Sequence, residues 1–373
     1  MPTQSHFKQT TAADAMRAIA ALPPASRILL VGATDTGKTA FAREAINYLT
    51  NSAGVAVALI DADIGQSEIG PPGTVGLTIV SPNPDRSPLA SLHSLPLADA
   101  FYVGATAPPG HLLDILAGVS RHAQTASREL CPEGRLLIDT PGYTTGPAAR
   151  ALFRSLIAAV EPALLLGFAY GDELAPILGL LSHRAPPPVV ALLRPGPEVG
   201  RKSAAVRSAR RSARLAHFLA GASPLTLCWD SLDLLNSPLG SGTPLAPHLV
   251  KFIGNALGPE CLYAEKAPDG ALYAILSGQT QRSAGLAAIE EQFKTRHIAL
   301  VPESLFHGLT CGLLDSGARF LNIGLIQSVD YLRRAFVVHT AVRRPEAVAQ
   351  LVLGSFRARA DGRELGSLRP GSV

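Results

Sequence analysis

The chain has 373 residues, of which 47% are hydrophobic and 17% charged, a balance that excludes a disordered polymer and allows a substantial core in two domains. A formal net charge of +4 is only mildly basic, and 27 of the 33 cations are arginine, whose fixed fork matches phosphate oxygens; a GC-rich genome would produce the same bias. Cys131, Cys228, Cys261 and Cys311 have no paired spacing, which argues against a zinc site or a disulfide framework. The N-terminus lacks a signal-peptide layout and no apolar run could span a bilayer, so a soluble, cytoplasmic protein with no membrane contact is expected.

In chain order, residues 12 to 21 predict a short amphipathic helix and "RILLVG" a buried strand. "TAFAREAINYLT" has helical spacing, with Asn51 and Gly54 as stop signals. "VAVALIDAD", "RLLIDTPGY" and "PALLLGFAY" are three further buried strands. Uniformly apolar strands alternating with helices predict an α/β domain over residues 1–222, a parallel sheet with helices on both faces, which the glycine loop "GATDTGKT" after the first strand makes one of P-loop NTPase type. Residues 223–373 predict a smaller, β-rich C-terminal domain. There "CLYAEKAPDGALYAIL" reads as a hairpin turning at Asp269-Gly270, and "ARFLNIGLIQSV" and "RAFVVHTAV" as further strands.

The stretch "GATDTGKT" fits the P-loop pattern through Gly32, Gly37, Lys38 and Thr39. In such a loop backbone N–H groups ring the phosphates, the lysine reaches the β and γ oxygens, and the hydroxyl can ligate magnesium. The expected nucleotide-binding set is Gly32, Thr34, Asp35, Thr36, Gly37, Lys38, Thr39 and Ala40, with ATP or another NTP and Mg2+ as cofactors. Two strands end in acids, at Asp61 and Asp63 and at Asp139, and such ends face the ligand crevice of an open parallel sheet. Thr39, Asp63 and Asp139 are the candidate metal-side groups; Asp61 is equally well explained as a loop ligand or cap. Asp139-Thr140-Pro141-Gly142 also matches the D-x-x-G of GTPases, but no guanine-reading N-K-x-D tetrapeptide occurs in the chain.

At "DADIGQSEIGPPGTV", taken with "GATDTGKT" and "IDTPGYTTG", the chain resembles the polynucleotide 5'-hydroxyl kinases, a P-loop family that includes archaeal RNA/DNA kinases and the kinase subunit of the pre-mRNA cleavage machinery. The resemblance continues through "FYVGATAPPG", "EPALLLGF" and the arginines after residue 200, in the compact archaeal layout. It implies that Asp63 takes the proton from the 5'-hydroxyl and that Tyr143 occupies the aromatic position of a base-stacking clasp. It also places Gln66 and Thr106 at the acceptor end.

"GRKSAAVRSARRSARLAHFLAG" sets Arg207, Arg210, Arg211 and Arg214 at helical steps of three and four, with no acid between Val199 and Trp229. A solvated surface helix would explain this; the resemblance instead implies a lid in which Arg207 and Arg211 meet the γ-phosphate. The function expected is transfer of the γ-phosphate of ATP or another NTP to the 5'-hydroxyl of RNA or DNA, with Lys38, Asp63, Arg207 and Arg211 as catalytic groups. A nucleotide-dependent switch or interaction protein without kinase turnover is the alternative.

Overall fold

The computed structural model describes residues 8–130, 133–181, 187–196, 200–280 and 283–373; Cys131 lies outside them. The chain forms two compact units, Met1–Arg211 and Ser212–Val373.

The first unit opens with β1 (Lys8–Gln9), α1 (Ala12–Ala21), β2 (Arg27–Gly32), α2 (Lys38–Asn47) and β3 (Val57–Asp61). Then come β4 (Thr74–Val80), β5 (Asp99–Tyr102), α3 (Leu112–Glu129), β6 (Arg135–Asp139) and α4 (Gly146–Val160). It continues with β7 (Leu164–Phe168), the single turn α5 (Ala175–Leu178) and β8 (Val189–Leu193), and α6 (Ala204–Phe218) runs across the division between units. Its sheet has the order β1-β8-β7-β2-β6-β3-β4-β5. The pairs from β1 to β3 in that order are parallel. β4 and β5, which the apolar-run reading did not find, extend the parallel sheet in antiparallel fashion.

Why the central strands are apolar throughout is visible in how they divide their side chains. Ile28, Leu30, Val57, Leu59 and Leu137 point into a core with Ile19 of α1 and Phe41 and Ile46 of α2. Leu29, Val31, Ala58, Ile60 and Ile138 point the other way, onto Val119 of α3 and Phe153 of α4. Neither face of these strands has a polar option, and each such valine, leucine or isoleucine, fully buried, stabilises the fold by roughly 1.5–3 kcal/mol. The leading arginine of "RLLID" caps a helix instead. Arg135 Nε donates to the Ile19 carbonyl, and Nη2 to those of Ala20 and Leu22. It thereby satisfies the orphan carbonyls that end α1.

The parallel register places the chemistry. Asp61 at the end of β3 pairs with Asp139 at the end of β6, and Leu30 of β2 also pairs with Asp139. The two acids and the loop leaving β2 therefore meet at one edge of the sheet, the carboxyl end, where open α/β sheets bind ligands.

The second unit contains β9 (Ser223–Cys228), β10 (Asp233–Leu235), β11 (Thr243–Pro244), α7 (Pro247–Leu257), β12 (Cys261–Lys266), β13 (Leu272–Leu276) and α8 (Ser283–Phe293). After them come β14 (Ile298–Pro302), β15 (Leu309–Leu314), β16 (Phe320–Asp330), β17 (Ala335–Thr340), β18 (Gln350–Ala358) and β19 (Glu364–Ser367). The expected hairpin is β12–β13, closed by the Ala267 N–H on the Ala271 carbonyl, and the two further strands pair as β16 and β17. The larger sheet runs β10-β18-β15-β16-β17-β9 with β19 beside β18; the smaller, β11-β12-β13-β14, carries α7 and α8 through Ile253, Leu257, Ile289 and Phe293. Trp229, Phe306 and Phe336 fill the core of this unit. Cys228, Cys261 and Cys311 are all free thiols.

Candidate active site

The phosphate loop joins β2 to α2. Gly37 sits at the helix N-cap with φ 91°, a conformation that a side chain resists, and it lets the chain turn directly into α2. Thr36 is buried, its hydroxyl donating to the Ala33 carbonyl at 2.8 Å. Thr34 and Ala40 are exposed. Lys38 is buried, and its ammonium lies inside the loop, donating to the carbonyls of Gly32 at 2.8 Å and Ala33 at 3.0 Å. Gly142 closes the loop from the neighbouring strand end: a Cβ there would stand 2.5 Å from the Thr34 nitrogen. The glycine of "DTPG" thus serves close packing against the phosphate loop, which agrees with the missing guanine-reading segment.

Thr39 and Asp139 form one unit. The Thr39 hydroxyl donates to Asp139 Oδ2 at 2.6 Å, while Asp139 Oδ1 is buried with no hydrogen-bond partner among the described residues. Burial pushes the Asp139 carboxyl up to about 6, with Lys38 and the Thr39 hydroxyl pulling the other way. A buried carboxylate oxygen lacking a donor, beside a hydroxyl at the first turn of the phosphate-loop helix, suits a hard, oxygen-seeking cation such as Mg2+.

The raised value means that the folded chain holds this proton more tightly than the unfolded chain. The stability it contributes is present below the ordinary carboxylate value and lost as pH rises through about 6. Asp139→Asn is therefore expected to raise stability by on the order of 2–3 kcal/mol at about pH 7.5, the gain shrinking toward about pH 4.5, while nucleotide turnover falls. Urea unfolding curves at the two pH values check the first statement and product formation the second.

The two acids of the D-x-D element have opposite fates. Asp61 is buried and spends both oxygens on backbone: Oδ1 accepts the Asp63 N–H at 3.1 Å, and Oδ2 those of Glu68 at 2.6 Å and Ile69 at 3.0 Å. Burial and the nearby Asp139 push its pKa well up, against these amides. Asp61 is the loop ligand. Asp63 is half-buried; its Oδ1 accepts the N–H groups of Gly65 and Gln66, each at 3.1 Å, and Oδ2 has no partner among the described residues.

Asp63 opens on a cleft of about 650 Å³. Thr34 and Asp35 line it from the phosphate loop, Gln66 from the D-x-D element, Thr106 and Pro108 from the loop after β5, and Tyr143 from the loop after β6. Arg207 and Arg211 line the same cleft, so the arginines expected to form a lid, the expected acceptor residues and the acid are brought together. Gln66 is tied in place, donating to the Gly65 carbonyl at 2.6 Å and the Arg207 carbonyl at 3.4 Å. Lys38, Thr39 and Asp139 do not line the cleft.

All four arginines of the expected basic face lie on α6, at different depths. Arg207, Arg211 and Arg214 are half-buried, whereas Arg210 is exposed. The expected lack of a relieving acid holds only along the sequence. Asp35, 167 and 172 positions away, accepts the Lys202 N–H at 3.0 Å and Arg207 Nη1 at 3.4 Å. Arg201 and Lys202, which also line the cleft, were missed because they precede the helical spacing. The signal available was an acid inside a phosphate loop, where charge alone disfavours one.

A glycine loop between β2 and α2, an enclosed lysine and a hydroxyl–carboxylate pair at the carboxyl edge of a parallel sheet define a P-loop nucleotide-binding protein. The chain belongs to the family described as mRNA cleavage and polyadenylation factor CLP1 P-loop, whose family model matches residues 32–221. It is 25% identical over 350 residues to the polyribonucleotide 5'-hydroxyl-kinase of Pyrococcus horikoshii, an alignment covering 94% of this chain and 91% of that protein. The protein of the same description from Methanocaldococcus jannaschii is 21% identical over 349 residues, covering 93% and 91%. Among solved structures, a chain of the wild-type Clp1p–Pcf11p complex superposes with a TM-score of 0.59 at 13% identity, covering 93% of this chain and 78% of that one. No described helix is long and apolar enough to cross a membrane.

Proposed function

We propose that this protein is a polynucleotide 5'-hydroxyl kinase that moves the γ-phosphate of ATP or another NTP to the 5'-hydroxyl of RNA, with DNA as a further acceptor. The observation that carries the reading is the single cleft holding Asp63, Tyr143, Arg207 and Arg211 beside the phosphate loop. The archaeal relatives named polyribonucleotide 5'-hydroxyl-kinases align over nearly the whole chain and support it.

In this reading the 5'-oxygen attacks the γ-phosphorus, its bond to phosphorus forms as the bond to the β-bridging oxygen breaks, and its proton passes to Asp63. The amides of Gly65 and Gln66 fix Asp63 Oδ1, so Oδ2 faces the acceptor without reorganisation. The Lys38 ammonium and the loop amides hold the triphosphate, and Arg207 and Arg211 offset charge on the moving group. Tyr143 offers a ring face on which the terminal base stacks. Thr39 and Asp139 are the residues that would hold Mg2+; bound there, the ion would supply positive charge to offset the negative charge that develops during transfer.

Incubation with γ-labelled ATP and a short 5'-hydroxyl RNA tests the proposal. Label is expected on the RNA, with transfer weakening steeply as salt rises because backbone phosphates are part of what is bound. Label released only as inorganic phosphate would identify a nucleotide switch and overturn the kinase. Equal use of free nucleosides would remove the polynucleotide from the reading.

A further inference from the structure

We infer that Asp35 is a positioning residue that docks the arginine segment on the phosphate loop. The consequence for catalysis rests on the kinase reading above; the docking itself does not. Asp35 holds φ 57°, the left-handed region that aspartate and asparagine tolerate better than other side chains. This conformation accompanies a carboxylate that faces away from bulk water, its side chain only 7% exposed. Oδ2 accepts the Lys202 N–H and Arg207 Nη1, and the Lys202 ammonium stands 3.9 Å from Oδ1. Arg207 Nη1 also donates to the Lys202 carbonyl at 2.6 Å, which closes a knot of three residues.

Two physical features make this more than a surface ion pair. A carboxylate three residues before Lys38 repels a triphosphate, so it belongs in this loop only where cations cap it. Further, both described bonds of the Arg207 guanidinium use Nη1, and its Nε and Nη2 edge remains a fork able to meet phosphate oxygens. Asp35 thus holds the guanidinium by one corner and presents the rest to the cleft that Arg207 lines.

The test uses the full chain and two substitutions. Asp35→Gly removes the carboxylate and keeps the positive φ without steric cost; Asp35→Asn keeps an acceptor for the Lys202 N–H and the tolerance of that φ. Hydrogen exchange at the Lys202 amide is expected to quicken in Asp35→Gly, while the amides of Leu29 and Leu30 stay protected. Asp35→Asn is expected to restore part of the protection. In phosphoryl transfer, Asp35→Gly is expected to lower kcat by about 10- to 100-fold with no rise in KM for ATP, since a misplaced group costs rate and a repelling charge has gone. Combined with Arg207→Ala it should add nothing further.

Unchanged exchange at Lys202 overturns the docking. Additive losses with Arg207→Ala, or a raised KM with unchanged kcat, overturn the positioning role. A wild-type chain that labels no RNA would sink the kinase reading instead, and the exchange result would then decide the docking alone.

Discussion

Asp63→Asn is expected to slow transfer to a 5'-hydroxyl by roughly 10²–10⁴-fold, the range lost with a positioned general base. Asparagine keeps a carbonyl oxygen where Oδ1 now accepts the N–H groups of Gly65 and Gln66, so the loop should retain its shape. What it loses is the basicity of Oδ2. Nucleotide binding should survive, because the loop residues that grip phosphates form their own hydrogen bonds independently of this side chain. Steady-state transfer and equilibrium binding of ATP, measured on the same preparation, separate the two. Wild-type turnover in the variant would remove Asp63 from the chemistry.

Lys38→Ala is expected to lower kcat/KM by about 10²–10³-fold or more, since a preorganised charge aimed at the transferring group is removed. The structure adds a second consequence. The ammonium helps hold the Asp139 carboxyl down against burial, so its loss should drive that carboxyl above its present value of about 6 and leave it protonated nearer neutral pH. The carbonyls of Gly32 and Ala33 also lose the ammonium as a donor, although Ala33 keeps the Thr36 hydroxyl. A stability loss on the order of 1–3 kcal/mol is expected near neutral pH from these uncompensated groups. The double variant with Asp139→Asn should recover part of that stability and none of the activity. Unfolding curves for the single and double variants, alongside transfer assays, check both halves; equal stability in the two would show that the charges do not communicate.

Much of the first unit was legible because its signals are local. Strands such as "RILLVG" and "RLLID" must be apolar on both faces, and glycine, lysine and threonine in one short loop have few other uses. The helix over Ala12–Ala21 and the hairpin at Asp269-Gly270 follow from equally short-range periodicity and turn chemistry. β4 and β5 were not legible, as their antiparallel pairing depends on β3 being there to receive them.

The site divides along the same line. The residue types at the carboxyl edge, and the family to which "DADIGQSEIGPPG" points, could be read directly, because motif chemistry is set by neighbours a few positions apart. The resemblance pointed to Asp63 as the acceptor-side acid, but residue types and spacing alone could not say which acid is spent on the backbone. Asp61 is captured by amides two, seven and eight residues on, whereas Asp63 lines the cleft with one oxygen on the Gly65 and Gln66 amides and the other without a partner among the described residues. Asp35 finds its cations more than 160 positions away, and Asp139 Oδ1 is buried without a donor among the described residues. A carboxylate's role depends on which N–H groups and cations reach it in space, and only the folded chain sets those distances.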